Sequence, residues 1–239
     1  MDTIRRVMVI VAHPDDAESW AGGTVANLVR AGKACEYVVV TSGEKGSSDR
    51  IMSQGALRET REREQIDAAR MLGVENLQFL RFPDCEVEDT RRLRLDVTRE
   101  IRRFKPDLVI AQNPVRTSNL GVSHRDHRVV GGVVVDCVYP LAGLHLAFPE
   151  LLPQYEPHQV RELYVVQADE PGIVVDISNT VEQKVQAFVR HTSQIRDAET
   201  ARASICERAA RLGVPNGIAF AEGFDRVSVP LTSFGQFEF

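Results

Sequence analysis

No apolar run in these 239 residues approaches the roughly 20 needed to cross a bilayer, so no membrane span is expected. Basic charge is not in excess either. Twenty-nine lysines and arginines stand against 34 acidic residues, a net charge of −5, with the two signs interspersed. Nucleic acid is therefore not the expected partner, because phosphate binding needs a concentrated basic patch. The four cysteines (Cys35, Cys85, Cys137, Cys206) lie far apart and form no Cys-x-x-Cys pair, which argues against a zinc ribbon or a disulfide framework. The fingerprint Gly-x-Gly-x-x-Gly is missing from the first strand-to-helix turn. Carboxylates stand there instead and would repel a pyrophosphate, which disfavours a dinucleotide cofactor. No linker rich in Gly or Ser divides the chain, no repeat recurs, and Met1-Asp2-Thr3 leads into a strand without the features of a signal peptide. The expectation is one cytoplasmic domain over residues 1–239.

What the chain does have is enough to build a core, with 43% hydrophobic and 26% charged residues. The run Val7-Met8-Val9-Ile10-Val11 has the length and β-branching of a buried strand. Val25, Leu28 and Val29 recur at helical spacing, which predicts a helix over 20–31 ended by Gly32. Gly22-Gly23 near its start implies close approach to a neighbour. The pattern continues with a strand over 37–41, a charged helix over 55–72 closed by Gly73, and a strand over 77–82. Most charges on that helix read as surface pairs at i,i+3 and i,i+4 spacing, around an inner face of Ile66, Ala69 and Leu72. A helix over 90–104 turns Leu93, Val97, Ile101 and Phe104 inward, and a strand over 107–111 follows. Beyond Tyr139, Pro140, Pro149, Pro153 and Pro157 break the pattern into a long loop. Strands over 163–167 and 173–177, helices over 179–194 and 200–212, and an edge strand near 227–229 complete the chain. The fold class expected is α/β, a Rossmann-like, mostly parallel sheet with helices on both faces.

The chemistry concentrates in two places. Ala12-His13-Pro14-Asp15-Asp16-Ala17-Glu18 follows the first strand, at the edge where open α/β sheets bind ligands. A loop that only caps the next helix would carry similar carboxylates. The second cluster, Ser123-His124-Arg125-Asp126-His127, shifts the balance toward metal. Ser123 fits an N-cap with Asp126 three residues on, which puts His124 and His127 on one side of a first helical turn. The apolar stretch that follows would make this helix a rigid mounting. Two histidines and one aspartate can hold a divalent ion, and zinc suits His with Asp. The surplus carboxylate and histidine are then available for acid–base work. Glu44 and Asp84 also fall just past strand ends.

These motifs, in this order, resemble the LmbE-like, or PIG-L, family of zinc-dependent N-acetylglucosaminyl deacetylases. The matching pieces are AHPDDAE at 12–18, TSGEKG at 41–46, Arg61-x-x-Glu64, FPD at 82–84, HRDH at 124–127, Lys184 through His191-Thr192-Ser193-Gln194, and AEGF at 221–224. The resemblance implies one zinc per chain, replaceable by Fe²⁺ or Co²⁺, on His13, Asp16 and His127. It implies Asp15 as general base, His124 as the group that stabilises the oxyanion, and Asp126 as a residue that orients a histidine. Glu44, Arg61 and Asp84 would contact sugar hydroxyls, Glu18 would support the ligand loop, and His191 would pack behind it. His145 and His158 match nothing and are expected at the surface. The implied reaction is hydrolysis of an N-acetyl or other N-acyl group from a small amino-sugar substrate. The implied alternatives are an amidase of thiol-sugar conjugates, a deacylase of antibiotic glycosides, or a non-catalytic protein that binds metal and sugar. The chain would act alone or as a homo-oligomer.

Overall fold

A computed structural model describes residues 3–115, 123–167 and 171–230. Its frame is a seven-stranded sheet in the order β3-β2-β1-β4-β5-β7-β6. Five strands are parallel: β1 (Arg6–Val11), β2 (Ala34–Thr41), β3 (Asn76–Phe82), β4 (Leu108–Ala111) and β5 (Glu162–Val165). The other two, β6 (Ile173–Asp176) and β7 (Ala221–Val227), are antiparallel to their neighbours. The closing strand is therefore not at an edge: β7 lies between β5 and β6. The helices are α1 (Asp16–Arg30), α2 (Gln54–Met71), α3 (Arg91–Phe104), α4 (Arg125–Asp136), α5 (Val181–Phe188) and α6 (Ala198–Gly213).

Strand alternation divides the core in two. Val7, Val9 and Val11 of β1 join Ala17, Ala21 and Val25 of α1 and Ala68 and Ala69 of α2 on one face. Met8 and Ile10 join Leu93, Val97 and Ile101 of α3 and Val130, Val133 and Val134 of α4 on the other. Because both faces are covered, β1 reads as a continuous apolar run rather than an alternating one. The Gly22-Gly23 pair is explained by close approach: a Cβ on Gly23 would meet Ile177, just past β6, at 2.8 Å, and one on Gly22 would meet Lys184 of α5 at 3.2 Å.

Three helices differ from expectation. Helix α1 begins at Asp16, four residues before the apolar periodicity starts, so Asp16 and Glu18 are helical and buried. Helix α5 ends at Phe188, short of the predicted 194. Helix α2 buries Arg61, Glu64 and Gln65 rather than carrying all its charge outward. Between 139 and 160 the chain is irregular as expected, with only short helical turns at Cys137–Leu141 and Pro149–Leu151. His158 is half-buried rather than exposed, its Nε2 lying 2.7 Å from the Pro106 carbonyl oxygen.

The consequence for function is topological. From β1 the chain winds outward through β2 and β3, then returns to add β4 on the other side of β1. The carboxyl ends of β1 and β4 thus flank a switch-point crevice, the usual ligand site of an open α/β sheet.

Candidate metal centre

Each segment that leaves a carboxyl end of the parallel sheet brings part of this site. His13, Asp15 and Asp16 follow β1, Asp84 and Cys85 follow β3, and His124 to His127 follow β4. They gather at a cleft of about 450 Å³ lined by His13, Asp15, Asp16, Asp84, His124 and His127, with Arg61 and Trp20 at its sides.

The strand-to-helix turn is tightly held. Asp15, the N-cap of α1, has φ 94°, a left-handed conformation that costs a non-glycine residue on the order of 1–3 kcal/mol. Two side chains of α2 keep it there. Gln65 Oε1 accepts the Asp15 amide at 2.9 Å, while Arg61 donates to the Pro14 carbonyl at 2.8 Å and to Asp15 Oδ2 at 3.0 Å. Gly43 makes room for that guanidinium, since a Cβ there would meet Arg61 Nη1 at 2.0 Å. Behind the turn, Gln65 Nε2 donates to Glu18 Oε1 at 2.9 Å and Glu18 Oε2 faces His191 Nε2 at 3.3 Å, all buried.

Donor atoms of three residues then converge. His13 Nδ1 lies 3.1 Å from His127 Nε2 and 3.4 Å from Asp16 Oδ2, and His127 Nε2 lies 3.2 Å from Asp16 Oδ1. Donors that share one tetrahedral ion through bonds of about 2.0–2.1 Å stand about 3.3 Å apart. The donor set therefore fits a divalent metal. His13, His124 and His127 also bring one ring nitrogen each within 4.8 Å of one another, as do donor atoms of His13, Asp84 and Asp126. The second triad explains the ring's orientation. His13 Nε2 is 3.3 Å from both Asp84 Oδ1 and Asp126 Oδ2, which hold a proton on that nitrogen and turn Nδ1 toward Asp16 and His127.

Asp126 is not explained as a helix cap. The N-cap of α4 is His124, not Ser123, and its Nδ1 accepts the Asp126 amide at 3.2 Å. Neutral His124 must then carry its proton on Nε2. Asp126 Oδ2 instead accepts the Cys85 amide at 2.7 Å and faces His13.

Electrostatics point the same way. Burial opposes charge on His13, yet Asp126, Asp16 and Asp84 hold its pKa well above the ordinary imidazole range. Burial would lift Asp16, but His127 and His13 bring it well below a normal carboxyl. A pocket that forces a proton onto an imidazole is one that would hold a cation in its place. Burial raises Asp15 to about 6, with Asp16 adding to the rise and Arg61 opposing it. Burial and the neighbouring His13 lower His124, which keeps it neutral.

Glu44 does not reach the cleft: it is buried, and its Oε1 accepts the Asp84 amide at 3.0 Å. Asp84 does reach it, braced by the Lys45 amide at 3.0 Å. Sequence reasoning missed two glutamines. Gln65 lies one turn after Arg61 on the same face of α2, a spacing that could have found it. Gln167, whose amide is 3.4 Å from His127 Nδ1, has no local signal.

A cluster of His and Asp donors beside further carboxylates at the switch point of a parallel sheet defines the class, a candidate metal-assisted enzyme site. The sequence profile described as PIG-L: GlcNAc-PI de-N-acetylase matches residues 8–138, and the chain belongs to that family. Diacetylchitobiose deacetylase of Thermococcus kodakarensis is 31% identical over 192 residues, covering 80% of this chain and 70% of its own. A mycobacterial 1D-myo-inositol 2-acetamido-2-deoxy-alpha-D-glucopyranoside deacetylase is 26% identical, covering 90% and 81%. The structure of N,N'-diacetylchitobiose deacetylase from Pyrococcus horikoshii superposes with a TM-score of 0.89 at 29% identity, covering 98% of this chain and 89% of that one. The protein is an enzyme, an amide hydrolase of the deacetylase class. No helix among the described residues is long and apolar enough to cross a membrane.

Proposed function

We propose that the chain, as one domain over residues 1–239, removes the acetyl group from a small N-acetylglucosamine conjugate in the cytoplasm. The observation that carries this reading is the 3.1–3.4 Å convergence of His13, Asp16 and His127 beside the anchored carboxyl of Asp15. His13 Nδ1, Asp16 and His127 Nε2 would hold one Zn²⁺, with Fe²⁺ or Co²⁺ acceptable to the same donors. The bound ion would supply Lewis acidity and an acidified water at neutral pH.

The rest is done by the chain's own residues. Arg61 fixes Oδ2 of Asp15, so Oδ1 takes the proton from the attacking water. A carboxyl raised to about 6 is then acidic enough to return that proton to the leaving amine near neutrality. His124 donates Nε2–H to the oxygen that becomes negative as the amide carbon turns tetrahedral. Asp126 and Asp84 keep His13 aligned. Asp84 and Arg61, both lining the cleft, bind sugar hydroxyls, while Glu44 serves by holding Asp84. The cleft volume of about 450 Å³ falls in the range of small-molecule sites.

The test is to incubate zinc-loaded protein with a panel of N-acetylglucosamine conjugates and to measure free amine and acetate together. Equimolar release from at least one conjugate, abolished by a chelator and restored by Zn²⁺, is the expected result. Release from none of them, or undiminished release in protein shown by elemental analysis to be metal-free, would overturn the reading.

A further inference from the structure

A second cavity, of about 340 Å³, opens beside the cleft. Trp20 lines both, and Gln167, whose amide is 3.4 Å from His127 Nδ1, lines the second. The charged lining of this second cavity is Lys184, Arg208 and Arg211 against Glu222. Lys184 and Glu222 are spent on each other, and Glu222 also accepts the Gly23 and Thr24 amides. What remains for a ligand is cationic, whereas the cleft presents Asp15, Asp16 and Asp84.

Arg208 is the unusual group. It follows Ile205 by three residues on α6, beside the buried Ala209, so it stands on the inward face of the helix. Its guanidinium lies over the Trp20 ring, 4.4 Å from the centroid, and Nη2 donates to the Ser19 carbonyl and to Ser19 Oγ. Nε and Nη1 have no hydrogen-bond partner, and the side chain has no ion pair, among the described residues. Burial lowers its pKa, with Glu222 opposing. A guanidinium drawn out of water without a counter-ion suits an incoming carboxylate or phosphate. Arg211 is exposed and paired with Glu207 at 2.9 Å, a surface contact that a ligand can replace at small cost.

We propose that this cavity is an anion subsite of the same active site, which rests on the amino-sugar reading of the cleft and narrows it to acidic conjugates. With the sugar in the cleft, Arg208 binds a carboxylate or phosphate carried by the group attached to the sugar, and Arg211 adds to its field. The connecting chain passes Trp20, the wall that the two cavities share.

The experiment compares N-acetylglucosaminides of a short series of ω-hydroxy acids with their matched carboxamides, which differ only in charge at the far end. In zinc-loaded wild type, kcat/KM at the best chain length should favour the carboxylate about tenfold to a hundredfold. Arg208→Gln should bring that ratio to about one, Arg208→Lys should restore part of it, and Arg211→Gln should lower it about two- to fivefold. A side chain that only propped α1 would lower both rates and leave the ratio alone. Calorimetric binding of the same pairs to zinc-loaded Asp15→Asn reads the preference without cleavage. A carboxylate preference in binding where wild type hydrolyses nothing would count against the proposed hydrolysis and keep the subsite. No preference at any chain length, or one that survives Arg208→Gln, would overturn the subsite whether or not the sugar is deacetylated. If inorganic phosphate alone changes carboxamide turnover in wild type but not in Arg208→Gln, and the pairs are hydrolysed alike, the cavity serves a free anion and the assignment to the substrate falls.

Discussion

Two groups of buried charge lie along helix α1, one opening on the cleft and one facing the body of the protein. In the inner group the charges close on partners. Lys184 donates to Glu222 Oε1, and the same carboxylate accepts the Gly23 amide at 3.0 Å and the Thr24 amide at 2.7 Å. Glu64 accepts from Thr192 Oγ1, the Ser193 amide and Ser193 Oγ at 2.6–2.8 Å. In the cleft, by contrast, imidazoles and carboxylates aim their donor atoms at a common point, and Asp15 keeps 25% of its side chain open to solvent. Yet the inner group too holds a perturbed charge, since burial lowers the pKa of Lys184 against the opposing pull of Glu222. Perturbation therefore marks a candidate, and convergence of lone pairs on an open cleft separates chemistry from architecture.

The comparison breaks most visibly if the inner pair is cut. Lys184→Met leaves Glu222 charged and buried, which should cost about 3–5 kcal/mol. For a domain of this size that is a fall in melting temperature of about 6–20 °C. The folded fraction should keep its metal and its turnover. An unchanged melting curve would mean that the inner group is no more structural than the cleft.

Arg61 tests the boundary between the two groups, since it is buried yet holds a cleft carboxyl. Arg61→Ala should lower kcat/KM by about tenfold or more, about 1.4 kcal/mol of transition-state stabilisation. kcat should fall with it because Asp15 loses its anchor, and metal content should hold. Wild-type kinetics in this variant would remove Arg61 from the machinery.

The smallest effect concerns thiols. Burial pushes Cys35 and Cys137 up to about 12, whereas Cys85 is exposed at the cleft. In a Cys206→Ser background, a disulfide-exchange reagent should titrate Cys85 in native protein and the other two only after unfolding. Rapid reaction of more than one native thiol would contradict the burial assigned to the core.

What the sequence made legible follows from locality. The residues that line the cleft are near one another in sequence: His13 to Asp16 sit at the end of one apolar strand, and His124 and His127 lie three apart. The βαβ order gave the parallel half of the sheet for the same reason. Long-range pairing was not legible: β7 enters between β5 and β6 through contacts across some fifty to sixty residues, such as Val165 with Asp225. Nor was the inner face of α2, because in local pattern Arg61, Glu64 and Gln65 look like solvated surface, whereas Arg61 and Gln65 hold the strained turn and Glu64 holds Thr192 and Ser193. Helix α1 began early for a related cause. Its first turn is buried by function rather than by apolar periodicity, and local pattern fails where a site imposes its own residues.

The central claim is that the adjacent aspartates divide the work, Asp16 holding the ion and Asp15 moving the proton. Metal content measured beside kcat for Asp15→Asn and Asp16→Asn tests it most directly. Asp15→Asn should keep near-stoichiometric metal while kcat falls ~10²–10⁴-fold, the usual worth of a general base. Asp16→Asn should lose metal and activity together. If Asp15→Asn loses the metal and Asp16→Asn retains it, the division of roles is contradicted.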